Sequence, residues 1–233
     1  LMNFKYAKYY INILLENWFK SKKSYAQHGE DELANMLFDG GIKSFIDVGA
    51  NDGVLFSNTY KFAKLGARGV CFEPSMHCYQ KLILNHLWNP KIKCIRMAIT
   101  DKKGKIFFEE DGYENVLSKV SFNPSKTSSL VKANSLDKVI SRFKALQNPD
   151  LVSIDVEGHE AEVITGGMHT LSNSKVIILE IDKINQSDIN SRLSKINHFP
   201  AFSNGINMIF VHRDHTIPKI NELPENYINL LKK

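Results

Sequence analysis

Short apolar runs alternate with longer stretches of helical periodicity along most of the chain. The runs predict strands at Ser44–Val48, Gly69–Phe72, Ile92–Met97, Leu151–Ile154 and Val176–Ile181. Three- and four-residue apolar spacing predicts helices over Gln27–Phe38, Asn58–Leu65, Met76–Leu87, Leu136–Phe143 and Glu160–Leu171. A run such as Val176-Ile177-Ile178-Leu179 has no polar alternation, which suits a strand buried on both faces. Such strands separated by helices predict an α/β fold, a mostly parallel sheet with helices on both faces. Ile106–Phe108 reads as a short extra strand. Ile206–Val211 reads as a late antiparallel strand at the end of the sheet.

Two segments stand apart from this alternation. Residues 3–20 put Phe4, Tyr6, Tyr9, Tyr10, Ile13, Leu14 and Trp18 mostly on one side of a helix, before the basic break Ser21–Ser24. We therefore expect an N-terminal helical extension over residues 1–23 and one domain over residues 24–233. The helix is expected to pack on that domain; the alternatives are a second copy, a preceding domain or a membrane surface. Residues 110–130, rich in Ser, Asn, Lys and Gly, read as a long loop, either a lid over a ligand or a connector.

Composition narrows the function classes. With 43% hydrophobic and 24% charged residues the chain has the make-up of a soluble globular protein. No apolar run approaches the length of a transmembrane span, and no signal peptide is visible. Cys71, Cys78 and Cys94 have neither metal-type spacing nor the even number of a disulfide framework, so a reducing, cytoplasmic setting is expected. A net charge of +5 mildly favours anionic partners, but scattered lysines argue against a nucleic-acid footprint. Leu1 with Met2 behind it reads as a tag remnant or a domain cut from a longer polypeptide.

The candidate chemistry gathers at strand ends, where open α/β sheets bind ligands. Phe45–Gly53 runs from an apolar strand into a Gly/Asn/Asp turn, and Gly49 and Gly53 permit a tight bend close to a ligand. Asp47 and Asp52 would repel a dinucleotide pyrophosphate and attract an ammonium and a sulfonium, which describes S-adenosylmethionine (SAM) better than NAD. Glu73-Pro74-Ser75 closes the second strand, where Glu73 can accept two ribose hydroxyls or merely cap the next helix. Met97-Ala98-Ile99 follows the third strand, placed to read an adenine edge. Asp155-Val156-Glu157-Gly158-His159-Glu160 closes the fourth.

Together with Ser24-Tyr25-Ala26-Gln27-His28-Gly29-Glu30-Asp31, Phe72-Glu73-Pro74 and Ser135-Leu136-Asp137, these pieces resemble the FkbM family of SAM-dependent methyltransferases over residues 24–182. The resemblance implies a Rossmann-like class I methyltransferase fold and O-methylation, often of sugar hydroxyls in glycans or natural products. Asp47, Gly49, Asn51, Asp52 and Gly53 would then hold the methionine end of SAM, and Glu73 the ribose. Gln27, Ala50, Pro74, Ser75 and Ala98 complete the expected cofactor set. Partners implied are a sugar or glycan acceptor and either a homodimer or a fused glycosyltransferase-like domain.

Methylating an alcohol requires removal of a proton from a hydroxyl of high pKa. A general base does this, or a divalent cation such as Mg²⁺ or Mn²⁺ stabilises the developing charge. Asp155, Glu157 and His159 are the catalytic candidates, with His159 set between two acids that would raise its pKa. Asp155, Glu180 and Asp182 offer oxygen ligands to a cation, a pattern similar to that of small metal-dependent O-methyltransferases. Glu160 reads as a helix cap. A polar lining that includes Tyr113, Asn115, Ser118 and Asn123 suits a carbohydrate. Two other readings stay open. One is a nucleic-acid methyltransferase, although Asp-Val-Glu-Gly stands where base N-methylation usually has Asn/Asp-Pro-Pro-aromatic, and no cysteine follows a proline. The other is a non-catalytic SAM-binding module.

Overall fold

The computed structural model describes residues 22–38, 41–109, 119–121 by backbone, 128–181, 184–224 and 226–231. The helix expected over residues 3–20, the loop residues Tyr113, Asn115, Ser118 and Asn123, and Asp182 lie outside the described residues.

Strands β1 (Ser44–Val48), β2 (Arg68–Phe72) and β3 (Ile92–Ile95) come first. Next are β4 (Ala98–Ile99), β5 (Gly104–Glu109), β6 (Lys119–Ser121) and β7 (Ser128–Asn134). The chain continues with β8 (Leu151–Ile154), β9 (Val176–Glu180), β10 (His198–Ser203), β11 (Asn207–His212) and β12 (Ile228–Asn229). Among the described residues the helices are α1 (Glu30–Met36), α2 (Tyr60–Lys64), α3 (Met76–His86), α4 (Leu136–Ile140), α5 (Glu160–Gly166), α6 (Met168–Ser172) and α7 (Gln186–Ser194).

The central sheet has the order β3-β2-β1-β8-β9-β11-β10-β12. From β3 to β9 every pair is parallel, and β11 then pairs antiparallel with β9. This is the Rossmann-like arrangement expected; the late strand is antiparallel as expected but lies inside the sheet, with β10 and β12 beyond it. All five residues of β1 are buried, because helices cover both faces. Ile46, Val48, Ile154, Leu179 and Phe210 pack on one side with Leu136, Val163, Leu171 and Leu193 of α4 to α7. Phe45, Leu151, Ile178 and Phe202 pack on the other with Leu33, Phe62 and Leu82 of α1 to α3. Each buried Leu, Ile or Phe side chain contributes roughly 1.5–3 kcal/mol, so this two-sided core dominates the fold's stability. The order in which successive strands are added reverses between β1 and β8, and the crevice opens there.

The structure departs from expectation in three places. Residues 128–130 belong to β7, and the backbone of 119–121 to β6, rather than to one continuous loop. In β7 exposed Leu130 and Lys132 alternate with buried Val131 and Ala133, a half-buried strand of period two. The resulting sheet β4-β7-β5-β6 packs Ala98, Phe108 and Val131 together beside the main sheet. The helix expected over Glu160–Leu171 is two helices, α5 and α6, broken at Gly166–Gly167. A side chain on Gly166 would overlap the Thr100 carbonyl, and the Asp137 carboxylate accepts from the backbone N–H groups of His169 (3.0 Å) and Thr170 (2.7 Å) to start α6. Finally, α7 and β10 were not anticipated.

Candidate active site

The turn after β1 is tied to the neighbouring strand ends. Gly49 and Ala50 both donate to the Phe72 carbonyl at 3.0 Å, and the Asp155 N–H donates to the Val48 carbonyl at 3.0 Å. Gly49 has φ of 86°, and any β-carbon there would collide with the Asp155 backbone carbonyl. Only glycine satisfies both demands. A cavity of about 270 Å³ opens above this junction.

Glu73, at the end of β2, is buried and lines the cavity. Its carboxylate accepts from the Asn51 N–H at 2.9 Å and the Ser75 N–H at 2.7 Å. A carboxylate has about four acceptor sites, so these donors orient it without exhausting it for a vicinal diol. Asp47 lines the floor and accepts from the Thr59 hydroxyl at 2.5 Å. Burial pushes its carboxyl up to about 6, against the opposing effect of that hydrogen bond.

At the far end, one carboxylate oxygen each from Asp155, Glu157 and Glu180 lies within 4.8 Å of the others. β8 and β9 are parallel neighbours in register Ile154↔Leu179, which sets Asp155 beside Glu180. Asp155 is exposed on the cavity wall. Burial holds its carboxyl well above the usual carboxylate range; Glu180, Glu157 and Asp47 push it further the same way. Asp155 and Glu180 stand close enough for like-charge repulsion, which favours a proton on Asp155.

Of the residues expected from sequence, Gln27, Asp47, Gly49, Ala50, Asn51, Glu73, Pro74, Ala98, Asp155, Glu157, His159 and Glu180 line the cavity. Asp52, Gly53 and Ser75 do not. Asp52 accepts from the N–H groups of Val54 (2.8 Å) and Leu55 (2.7 Å), which closes the turn. A β-carbon on Gly53 would press on Leu82 and His86. Ser75 caps α3, accepting from the Cys78 N–H at 3.3 Å. The Ser24–Asp31 motif is a clamp that delivers Gln27. Asp31 accepts from the Ser24 hydroxyl (2.5 Å) and the Tyr25 N–H (2.9 Å), and Glu30 from Asn207 Nδ2 at 2.7 Å and the Tyr227 hydroxyl at 3.0 Å.

His159 differs from expectation. Its Nε2 is 2.9 Å from the Thr100 hydroxyl and its Nδ1 3.3 Å from the Glu162 carboxylate. Burial lowers its pKa and outweighs Glu162 and Asp101, which pull it up. Glu160 accepts from the Gly158 N–H at 2.9 Å in the first turn of α5. Lining residues that the sequence did not single out include Leu55, Phe56, Asn58, Phe108 and Ser153. The apolar run Ile106–Phe108, beside the alternation in residues 128–134, is the signal by which Phe108 was findable. Phe56 carries none.

A glycine turn, an acid oriented by backbone donors at the second strand end and an acidic fourth strand end on this sheet mark the class of SAM-dependent methyltransferases. The Methyltransferase FkbM domain model matches residues 47–231, and the chain belongs to that family. The match runs through β10 and β11, past the 24–182 span expected from the motifs. The chain is similar to hexuronic acid methyltransferase AglP of Haloferax volcanii, 27% identical over 172 residues that make up 72% of this chain and 69% of that protein. It is also similar to 2-O-methyltransferase NoeI of Sinorhizobium fredii, 29% identical over 153 residues, 58% of this chain and 61% of that one. The solved methyltransferase FkbM from Methylobacillus flagellatus has a TM-score of 0.51 at 13% identity, covering 73% of this chain and 44% of the other. That likeness is one of fold, and this chain spans less than half of that structure. Among the described residues no helix is long and apolar enough to cross a membrane.

Proposed function

We propose that this domain transfers the methyl group of SAM to a hydroxyl of a sugar, in a glycan or a glycosylated metabolite. The carrying observation is the cluster of Asp155, Glu157 and Glu180 at the end of the cavity away from Glu73. A lining of carboxylates suits a polyhydroxylated acceptor, whereas a lipid or phenol asks for apolar walls. The printed names of the two relatives support this, one specifying hexuronic acid and the other a 2-O position.

The residues present fit the cofactor. Glu73 would take the ribose diol, Asp47 the ammonium, and the Gly49–Asn51 turn would leave room for the methionine end beside Gln27. When bound, SAM supplies an electrophilic methyl on a sulfonium. The chain's own task is to hold the acceptor oxygen in line and to receive its proton. The Asp155–Glu180 pair does the latter, because a carboxylate whose pKa is raised is a stronger base. His159, bonded on both ring nitrogens, ties the connection between β8 and α5 to Thr100 just after β4. A second reading of the same cluster is favoured by its oxygen-only donors. Asp155, Glu157 and Glu180 would hold Mg²⁺ or Mn²⁺, which would supply positive charge where the hydroxyl loses its proton.

The test is incubation with methyl-labelled SAM and a panel of neutral glycosides, uronates, nucleotide sugars and RNA. Label on carbohydrate supports the proposal; label confined to RNA overturns it.

A further inference from the structure

Among the described residues, five that are not glycine hold a positive φ: Asn51 (49°), Phe56 (55°), Glu157 (51°), Asn197 (61°) and Asn226 (70°). Asparagine visits this region readily, whereas a bulky or unbranched long side chain does so at a steric cost. The two residues without that excuse, Phe56 and Glu157, both line the cavity.

Each is held there by its surroundings. Phe56 forms a parallel bridge with Ala26, and the turn before it is closed by the Asp52 carboxylate. Glu157 leads into Gly158, which also has positive φ, between β8 and α5. Core packing does not explain Phe56. It is 48% exposed and, among the described residues, belongs to none of the apolar clusters. Strain that persists on a cavity wall without packing benefit points to ligand contact.

We propose that Phe56 and Glu157 form the acceptor subsite, an assignment that rests on the sugar reading above. A pyranose has a face of C–H bonds and a rim of hydroxyls. Phe56 supplies a flat apolar surface for the face, and Glu157 accepts from rim hydroxyls and fixes which one meets the Asp155–Glu180 pair. Phe56 thereby sets acceptor affinity, and Glu157 sets the site of methylation.

Three full-length variants test this: Phe56→Gly, Phe56→Trp and Glu157→Gln. Glycine accepts the backbone conformation, so Phe56→Gly should stay folded and unfold within about 2–4 °C of the parent. It should bind S-adenosylhomocysteine as the parent does and raise the KM for the sugar on the order of tenfold. Phe56→Trp should keep the parent KM. Glu157→Gln should spread the methyl over more than one hydroxyl. An unchanged KM in Phe56→Gly overturns the subsite alone, as does a loss of S-adenosylhomocysteine affinity there, which would assign the ring to the cofactor. A single, unchanged product from Glu157→Gln overturns its half of the assignment. If the parent methylates no sugar, the subsite and the sugar reading fall together.

Discussion

A β-carbon on Gly49 would occupy the space of the Asp155 carbonyl oxygen. The turn that ends β1 and the acidic end of β8 are therefore one unit: neither moves without the other. Gly49→Ala must push these strand ends apart and force a residue with a side chain to a φ of 86°. We expect a loss of about 2 kcal/mol or more together with loss of S-adenosylhomocysteine binding by calorimetry. Unchanged unfolding and affinity would contradict the close approach.

Asp47 sets function against stability. Its folded pKa, about 6, lies above the ordinary aspartate value of 3.8, so the native state holds a proton more tightly than the unfolded chain. Its contribution to stability therefore falls as pH rises from about 4 through 6, and the penalty is fully present at pH 7. Two pKa units correspond to roughly 3 kcal/mol. Asp47→Asn should recover part of this at pH 7 and little below pH 4, while weakening cofactor binding through loss of the partner for the ammonium. Thermal unfolding of both proteins at pH 4 and 7, with calorimetry at pH 7, checks both signs. A variant that is less stable at pH 7 would refute the assignment.

Glu30 fastens the clamp. Its buried carboxylate accepts from His28 N–H (2.9 Å), Asn207 Nδ2 (2.7 Å) and Tyr227 hydroxyl (3.0 Å). Removing it leaves buried donors without a partner, at roughly 1–3 kcal/mol for each group. Glu30→Ala should lower the unfolding temperature by several degrees, with Glu30→Gln in between. Equal stability of the alanine variant and the parent would mean that water replaces the clamp.

Chelation separates the two readings of the acidic cluster. With the Asp155–Glu180 pair as base, extensive EDTA treatment leaves turnover unchanged. Turnover should also rise with pH as the raised carboxyl of Asp155 loses its proton. Activity lost to EDTA and restored by Mg²⁺ or Mn²⁺ would transfer the role to a cation.

How much of this could be read from sequence depends on burial. β1 and β8 have the predicted bounds, Ser44–Val48 and Leu151–Ile154, because helices on both faces demand mostly apolar residues there. α7 escaped notice because, among its residues, only Ile189 and Leu193 are buried. β10 opens on His198, a buried residue that looks polar in sequence but lies against Ser174 and the Ile196 carbonyl. The meeting of Asp155 with Glu180 was legible, since adjacent parallel strands end together. The place of Phe56 was not, because it depends on a bridge to Ala26 thirty residues away.

In the proposed reaction the carboxyl pair led by Asp155 takes the proton of a sugar hydroxyl while SAM supplies the methyl. Asp155→Asn preserves shape and removes the base. The most direct measurement is label transfer from SAM to the sugar acceptor by parent and Asp155→Asn, alongside S-adenosylhomocysteine affinity for each. We expect affinity within a few-fold of the parent and turnover lower by a factor of about 10²–10⁴. A folded Asp155→Asn protein that methylates sugar at the parent rate would contradict the account.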